Sequence, residues 1–300
     1  MPHAIIPIPK PAAPQQQPQH PYTQGLLRCI PVPGRTEPGA RLGVDVEIGP
    51  LCYVGAGAVL GDRVRLANHV SVIGDTTIGA GTQVQAFAAL GGLPQDRKHK
   101  GGPSTLTVGE NCDIRESVTM HRGTDCGRGA TVVGDNGFFL AYSHVAHDCI
   151  VGDNVTLTHG ATLGGHCEIG DNVIIGGLAA VHQFVRIGHH AFVGGMAAVV
   201  GDVIPYGMAV GNRAELRGFN VVGLKRSGMS RAELMTLRAA YRALFSPERT
   251  VAENAEAVRR DFAGSPAVID ILDFLTGRGK RHFTVPALGE RGEAVGDGGE

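Results

Sequence analysis

Residues 143–149 read Ser-His-Val-Ala-His-Asp-Cys and place two imidazoles and a carboxylate close together in the chain. Imidazoles titrate near neutral pH, so His144 and His147 are suited to act as general bases, substrate ligands or metal ligands. Asp148 directly follows His147, and a carboxylate beside an imidazole raises its basicity and fixes its tautomer. Neighbouring residues of a strand point to opposite faces, so this pairing requires that His147 and Asp148 lie at a bend. The segment is a candidate active site.

Aliphatic residues spaced six apart run through most of the chain and include this segment. The run that contains it is Val133, Phe139, Val145, Val151, Leu157, Leu163, Ile169, Ile175, Val181, Ile187, Val193 and Val199. Two earlier runs, from Leu42 to Leu90 and from Val108 to Met120, keep the same spacing. A period of six fits neither an α-helix nor simple strand alternation, and it is typical of a parallel β-helix with three hexads in each coil. The sequence therefore predicts a mainly β fold.

Histidines recur along this ladder at close to one-coil intervals. The hexads that carry His147, His166 and His182 begin eighteen residues apart, so we expect these side chains to form one strip across three coils. His144 ends the preceding hexad, next to the same corner, and His121 begins the earlier excursion. Such a cluster suits either zinc binding by three neutral imidazoles or acyl transfer, in which one histidine is the general base and the others hold substrate. The aspartate that follows His147 favours acyl transfer.

A second strip consists of glycines. Gly177 and Gly195 hold the same place in hexads one coil apart, so a surface without side chains should run beside the histidines. Such a surface is a groove in which an extended alkyl chain could lie.

Composition excludes several classes of protein. A formal net charge of -1 gives no sign of a surface for nucleic acid or membrane. The chain nowhere contains the roughly eighteen consecutive apolar residues that a membrane-spanning helix needs. Cys52, Cys112, Cys149 and Cys167 share the fifth place of their hexads, which predicts buried, reduced thiols rather than a metal site. We expect a soluble, cytoplasmic protein.

Composition and the hexad pattern divide the chain into four parts. They are a disordered Pro/Gln-rich leader (1–38), a β-helix (39–206) with excursion loops at 91–107 and 121–132, a small α-helical domain (207–283) and a disordered tail (284–300). Ser230 with Glu233, and Thr250 with Glu253, form capping-box patterns that predict two helix starts. Pro266 predicts the first turn of a third helix.

Several segments resemble the family of acyl-[acyl-carrier-protein]–UDP-N-acetylglucosamine O-acyltransferases of lipid A biosynthesis. They are Gln-Asp-Arg-Lys at 95–98, Ile-Arg-Glu-Ser-Val-Thr-Met-His-Arg-Gly-Thr at 114–124, His-Val-Ala-His-Asp-Cys at 144–149, Gly-His at 165–166, Ala-Val-His-Gln-Phe at 180–184 and Gly-Leu-Lys-Arg at 223–226. The resemblance spans about residues 40–275. It implies a left-handed β-helix and a homotrimer with active sites between subunits.

The resemblance also implies the reaction. An (R)-3-hydroxyacyl group would pass from acyl carrier protein to the 3-hydroxyl of UDP-N-acetylglucosamine. No metal or dissociable cofactor is implied, because the phosphopantetheine arm belongs to the donor protein. Two alternatives are a zinc hydro-lyase of the carbonic-anhydrase type and the related N-acyltransferase of the same pathway.

The family's motifs assign roles to individual residues. His147 would be the general base, Asp148 would orient it, and the backbone N–H of Gly165 would stabilise the oxyanion. The residues implied to bind substrate are Gln95, Asp96, Lys98, His121, His144, His166, His182, Gln183, Asn220 and Arg226, with the acyl groove at Gly177 and Gly195. Some relatives carry methionine at the second groove position, so a glycine there predicts a longer acyl chain.

Overall fold

The computed structural model describes residues 34–277 and 279–287. Most of the predicted leader and most of the predicted tail lie outside these residues. Within them, the hexads form short strands that stack into three parallel sheets, which confirms the predicted β-helix; it is left-handed, and a small helical part follows it.

The strands, numbered along the chain, return to the same sheet at every third element as far as β25. Sheet A contains β1 (Arg35–Thr36), β4 (Tyr53–Val54), β7 (Ser71–Val72), β10 (Ala89–Gly92), β13 (Thr119–His121), β16 (His144–Val145), β19 (Thr162–Leu163), β22 (Ala180–Val181) and β25 (Ala198–Val199). Sheet B contains β2 (Arg41–Leu42), β5 (Val59–Leu60), β8 (Asp75–Ile78), β11 (Thr105–Val108), β14 (Ala130–Val133), β17 (Ile150–Val151), β20 (Glu168–Ile169) and β23 (Arg186–Ile187). Sheet C contains β3 (Glu47–Ile48), β6 (Arg65–Leu66), β9 (Gln83–Val84), β12 (Asp113–Ile114), β15 (Phe138–Phe139), β18 (Thr156–Leu157), β21 (Ile174–Ile175), β24 (Phe192–Val193), β26 (Gly207–Val210) and β27 (Glu215–Phe219).

The aliphatic ladder fills the interior of the β-helix. Val145 pairs with Leu163, and Leu163 pairs with Val181, so each side chain lies on its counterpart one coil away. These residues are buried, as are the thiols predicted to share the interior. Leu42 is 46% exposed because it belongs to the first coils that the structure describes. Burial of one continuous apolar column therefore holds the coils in register.

The corners between sheets depend on residues in the left-handed backbone conformation. Asp148, Asn154 and Asn172 occupy the second place of their turns with φ values of 59°, 56° and 58°. Aspartate and asparagine tolerate this conformation better than other non-glycine residues do. Because the turns recur at each coil, corner residues stack in columns along the β-helix, and polar side chains from successive coils meet there.

Two loops leave the coils, and both are shorter than the sequence predicts. The structure extends β11 back to Thr105 and β14 back to Ala130, so the ejected loops run from 93 to 104 and from 122 to 129. The strands are longer here because β11 pairs over four residues with both β8 and β14. Backbone pairing thus continues where the hexad pattern of side chains breaks down.

The part after the β-helix begins with strands rather than helices. β26 continues sheet C, and β27 pairs with it in antiparallel orientation. The helices follow as α1 (Val221–Arg226), α2 (Arg231–Leu244), α3 (Val251–Asp261) and α4 (Pro266–Thr276). Both predicted capping boxes are confirmed, at the starts of α2 and α3, and Pro266 opens α4. None of the helices in the described ranges is long and apolar enough to cross a membrane.

A short segment returns to the β-helix after the last helix. We call residues 279–285 the C-terminal strap. Phe283 forms a parallel bridge with Asp202, and the Thr284 side chain is buried and donates to the Gly201 carbonyl. Thr284 lies within the predicted disordered tail, but its backbone N–H bonds to the Asp202 carbonyl and fixes it.

The buried column predicts how sensitive the fold is to cavities. Leu157 is fully buried, so Leu157→Ala should lower the free energy of unfolding by about 2–5 kcal/mol. Urea denaturation at one protein concentration measures this change. Met235→Ala is the control: that side chain is 53% exposed on α2, and the change should stay within about 0.5 kcal/mol. Equal effects of the two substitutions would contradict a continuous interior column.

Candidate active site

The candidate base and its carboxylate occupy one corner of the β-helix. His147 and Asp148 form the turn between β16 and β17, which is the bend that their pairing requires. The His147 ring is 3% exposed and Asp148 is fully buried. The His147 Nδ1 atom lies 2.9 Å from Asp148 Oδ2. The left-handed backbone of Asp148 turns its side chain back toward the ring instead of to the opposite face.

Asp148 is held by donors from the loop at 122–129. The Thr124 hydroxyl donates to Oδ2 at 2.7 Å, and the Arg128 backbone N–H donates to Oδ1 at 2.8 Å. The Thr124 backbone N–H donates as well. Burial by itself raises the pKa of Asp148, but the hydrogen bonds from Thr124, His147 and Arg128 outweigh it and leave the pKa below its ordinary value. Asp148 is therefore an ionised acceptor.

An ionised Asp148 decides which nitrogen of His147 carries the proton. Because the carboxylate only accepts, the Nδ1 atom of His147 must donate to it, and the neutral ring keeps its lone pair on Nε2. Once Nε2 takes a proton, the imidazolium is stabilised by the adjacent negative charge. The corner therefore presents Nε2 as a general base.

Gly165 lies one coil away from His147 at the same place in the turn. A Cβ atom on Gly165 would sit 2.5–2.6 Å from atoms of the His147 ring, so the position needs a glycine. The Gly165 carbonyl accepts a hydrogen bond from Phe184, while its N–H makes no hydrogen bond to the part of the chain that the structure describes. An unpaired N–H beside the base is suited to bind a developing oxyanion.

His166 completes this corner in the coil of Gly165. Its ring is stacked on Phe184 with centroids 4.4 Å apart, and it meets the His147 ring edge-on at 5.1 Å. Burial lowers the pKa of His166, although the charge of Asp148 opposes that change. Near neutral pH the ring is therefore uncharged, and it can donate or accept a hydrogen bond.

His121 and His144 form a second pair at the adjoining edge of sheet A. Their rings meet edge-on at 5.1 Å, and His144 Nδ1 lies 2.7 Å from the Thr119 hydroxyl. Burial, followed by the neighbouring charge of His121, lowers the pKa of His144 to about 4. Burial also lowers the pKa of His121. His121 Nδ1 is buried without a hydrogen-bond partner in the described residues, so a substrate group could satisfy it.

The predicted vertical strip of three histidines is wrong in its details. In the stacked turns His147 is followed by Gly165 and then Gln183, whereas His182 stands in the column of Gly164. Gln183 packs over Gly164, with its Cγ atom 3.2 Å from where a Cβ atom would lie. His182 follows His147 by 35 residues, one fewer than two coils. Its side chain therefore belongs to the column beside that of His147. Its Nδ1 atom lies 2.7 Å from an Arg281 nitrogen instead.

The loop at 93–104 brings a carboxylate to the two corner histidines. Asp96 offers an oxygen that lies within 4.8 Å of ligand nitrogens of His147 and His166. Its position is fixed because the Lys98 backbone N–H donates to it at 2.9 Å. Gln95 and Lys98 are exposed on the same loop. Asp96, and not His182, is thus the third group that could share a ligand with His147 and His166.

The two loops hold each other in place. Asp125 accepts hydrogen bonds from His99 Nδ1 at 3.1 Å and from the backbone N–H of Gly102 at 3.0 Å. Asp125, Thr124 and Arg128 lie outside the hexad pattern, so that pattern predicts no role for them in the site. The motif at 114–124, which ends at Thr124, is the one sequence signal that includes any of these three residues.

The remaining predicted residues lie away from this corner. Gly177 and Gly195 stack at the opposite edge of sheet A, and a Cβ atom on Gly195 would lie 3.2 Å from the Gly177 carbonyl oxygen. Asn220 caps α1 and donates to the His190 carbonyl, at the corner between sheets B and C. Arg226 lies in the last turn of α1. A single chain therefore does not bring Asn220 and Arg226 to the base.

Two family models match this chain. The model described as "Udp N-acetylglucosamine O-acyltransferase; Domain 2" matches residues 202–284. The model described as "Bacterial transferase hexapeptide (six repeats)" matches residues 130–165, which include the corner of His147.

Named relatives cover most of the chain. The acyl-[acyl-carrier-protein]–UDP-N-acetylglucosamine O-acyltransferase of Mesorhizobium japonicum is 66% identical over 252 residues, which are 84% of this chain and 90% of the relative. The protein of the same name from Brucella ovis is 56% identical over 252 residues, covering 84% and 91%.

Solved structures agree with these relatives. A crystal structure of a UDP-N-acetylglucosamine acyltransferase has a TM-score of 0.81 at 39% identity, covering 84% of this chain and 96% of the other. The UDP-N-acetylglucosamine acyltransferase from Campylobacter jejuni has a TM-score of 0.79 at 37% identity, covering 85% and 98%.

The depressed pKa of His144 predicts loss of stability in acid. The unfolded imidazole binds a proton near pH 6.5, but the folded one does so near pH 4. Between these values the unfolded chain holds the extra proton, so stability should fall as the pH drops from about 6.5 toward 4. His144→Gln removes this proton, and its melting temperature should depend less steeply on pH in that window. His69→Gln, at an exposed histidine of an earlier coil, is the control. Parallel curves for wild type and His144→Gln would contradict the burial argument.

Proposed function

Because the chain belongs to the acyl-[acyl-carrier-protein]–UDP-N-acetylglucosamine O-acyltransferase family, we propose that it transfers an (R)-3-hydroxyacyl group from acyl carrier protein to the 3-hydroxyl of UDP-N-acetylglucosamine. This reaction is the first step of lipid A biosynthesis. The observation that carries the proposal is the corner at which ionised Asp148 leaves the lone pair on His147 Nε2, beside the Gly165 N–H, which has no hydrogen-bond partner among the described residues.

The reaction begins at the sugar hydroxyl. His147 Nε2 removes the proton of the hydroxyl as its oxygen attacks the thioester carbonyl carbon of the donor. Asp148, 2.9 Å from Nδ1, stabilises the imidazolium that results. The acceptor must enter from the side of Nε2, since the other nitrogen faces the buried carboxylate.

The tetrahedral intermediate carries negative charge on the former carbonyl oxygen. The Gly165 N–H binds this oxyanion, and such a donor typically contributes about 2.7–4 kcal/mol to the stability of the transition state. The intermediate collapses when the carbon–sulfur bond breaks and the phosphopantetheine thiolate leaves. The imidazolium of His147 returns its proton to that sulfur, which restores the neutral base. The chain's own groups supply these steps, so the proposal needs no resident metal or dissociable cofactor.

The substrate-binding residues divide between the two edges of sheet A. Asp96 and His166 stand nearest the base and would bind the sugar, with His121 and His144 beside them. Gln95, Lys98, His182 and Gln183 line the exposed rim. The acyl chain would extend along sheet A toward Gly177 and Gly195. These assignments keep the roles that the sequence motifs predict for each residue.

A homotrimer would complete the site. Asn220 and Arg226 are predicted to bind substrate. Within one chain, however, the Asn220 side chain donates a hydrogen bond to the His190 carbonyl, at a different corner from that of His147. A neighbouring subunit could present these residues across the cleft to the nucleotide. Cys52, Cys112, Cys126, Cys149 and Cys167 are free thiols, which supports a reducing compartment such as the cytoplasm.

The comparisons favour O-acyl transfer over both alternatives. The two named relatives carry the O-acyltransferase name, and the two solved structures are of UDP-N-acetylglucosamine acyltransferases. None of these four proteins is named as a zinc hydro-lyase or as the N-acyltransferase of the pathway. The presence of Asp96 near two histidines would permit a metal ion, but the hydrogen bonds to Asp148 already explain the arrangement of the base.

Loss of the base should lower turnover sharply and leave the fold intact. In His147→Gln the side chain cannot take the hydroxyl proton, so kcat should fall by about 100- to 10,000-fold. The assay mixes UDP-N-acetylglucosamine with a hydroxyacyl carrier protein and measures the acylated nucleotide sugar by mass spectrometry. His69→Asn is the control and should retain wild-type turnover. Near-normal turnover of His147→Gln with a normal melting temperature would contradict the assigned role.

The groove predicts which acyl chains are accepted. Within 4 Å, a Cβ atom on Gly195 would meet only the backbone of Gly177 among the described residues. The wild type leaves this space open and should prefer long acyl chains. Gly195→Met would fill that space and should shift the preference by several carbons toward shorter donors. A competition assay with a mixture of hydroxyacyl carrier proteins of different lengths reads out the product distribution. An unchanged distribution would place the acyl chain elsewhere.

A further inference from the structure

The C-terminal strap reaches the rim of the proposed site. Its anchors are the bridge between Phe283 and Asp202 and two hydrogen bonds of Thr284, one of them from a buried hydroxyl. These anchors fix the backbone that directly follows Arg281. The strap lies outside the motifs that carried the resemblance, although the family model that matches residues 202–284 includes most of it. Its sequence Gly-Lys-Arg-His-Phe follows no repeat.

Arg281 binds His182 and Gln183, which directly follow β22. Its Nε–H donates to the Gln183 carbonyl at 2.8 Å, and a terminal nitrogen lies 2.7 Å from His182 Nδ1. A guanidinium carries five N–H donors and no acceptor, and it stays charged at any pH at which the protein is folded. Arg281 can therefore only donate to His182.

This contact selects one tautomer of the imidazole. His182 Nδ1 also lies 3.2 Å from the Gln183 carbonyl, to which it could donate if it were protonated. In that tautomer an imidazole N–H would face a guanidinium N–H across 2.7 Å, which is repulsive. With Arg281 in place the Nδ1 atom must accept, so the ring proton of neutral His182 resides on Nε2.

We propose that Arg281 is a positioning residue that fixes His182 as an Nε2–H donor toward the nucleotide-sugar substrate. The inference rests on the proposed function for its substrate. His182 is exposed at the rim, and its backbone lies in the column beside that of His147. Without Arg281 the ring would turn its proton to the Gln183 carbonyl and present a lone pair to the substrate. Oxygen atoms of a diphosphate or sugar accept hydrogen bonds, so that change would weaken binding.

Nitrogen NMR tests the tautomer without any assay of activity. The full-length protein is labelled with ¹⁵N-histidine, and His182 is assigned by the signals that disappear in His182→Gln. We expect an unprotonated Nδ1 and a protonated Nε2 in the wild type at pH 8, and a shift toward the opposite tautomer in Arg281→Met. A protonated Nδ1 in the wild type would overturn the inference, whatever the enzyme acylates.

Kinetics test the consequence for substrate. Arg281→Met should raise KM for UDP-N-acetylglucosamine roughly tenfold, as expected for loss of one hydrogen bond to a charged group, and should change kcat by less than about threefold. Arg259→Met is the matched control, since that arginine pairs with Asp273 on the surface of the helices at 2.6 Å. It should leave both constants unchanged.

A double mutant separates positioning from a structural effect of the strap. In the His182→Gln background, Arg281→Met should have no further effect on KM, because the imidazole whose tautomer it fixes is absent. Additive losses would overturn the inference. If Arg281→Met fails to fold, Arg281→Lys replaces it: a lysine cannot bind both the carbonyl and Nδ1 in the fork geometry, so KM should rise there as well. If no variant or wild type acylates the sugar nucleotide, the proposed function fails while the NMR result still stands.

Discussion

Eighteen residues make one coil, and this register determines which side chains of the chain can meet. Val145, Leu163 and Val181 stack because their backbones pair in consecutive parallel ladders. The same register sets Gly165 against the ring of His147, where no larger residue would fit. The coil register thus determines both how the apolar interior packs and which side chains meet at the corner of His147.

The chemistry depends on a group that the coils alone do not satisfy. Asp148 is fully buried, and a buried carboxylate is costly unless donors surround it. The loop at 122–129 supplies those donors through Thr124 and Arg128. The loop that interrupts the repeat thus keeps Asp148 ionised, and in the proposed mechanism Asp148 orients the base.

The sequence predicted the parts of the molecule that follow a period or a local rule. The hexad ladder predicted the β-helix, and the capping boxes predicted the starts of α2 and α3. The adjacency of His147 and Asp148 predicted their pairing at a bend, which the structure shows. The sequence could not predict that Thr124 and Arg128 donate to Asp148, because the contacts of a loop depend on its three-dimensional conformation. The prediction for His182 was wrong because His182 follows His166 by 16 residues instead of the 18 of a full coil. At a corner, a difference of one residue moves a side chain into a different column. The extent of β11 and the two strands after the β-helix were missed because backbone pairing does not need the hexad side chains.

In the proposed mechanism, Asp148 makes His147 a base by holding the proton on Nδ1. An amide at position 148 could donate to Nδ1 and so force the proton onto Nε2, the wrong nitrogen for catalysis. The most direct test is the rate of UDP-N-acetylglucosamine acylation by Asp148→Asn, measured as kcat/KM across the pH range in which the variant stays folded. We expect a loss of at least about 100-fold at every pH. A rate within threefold of wild type would contradict the proposed role of Asp148.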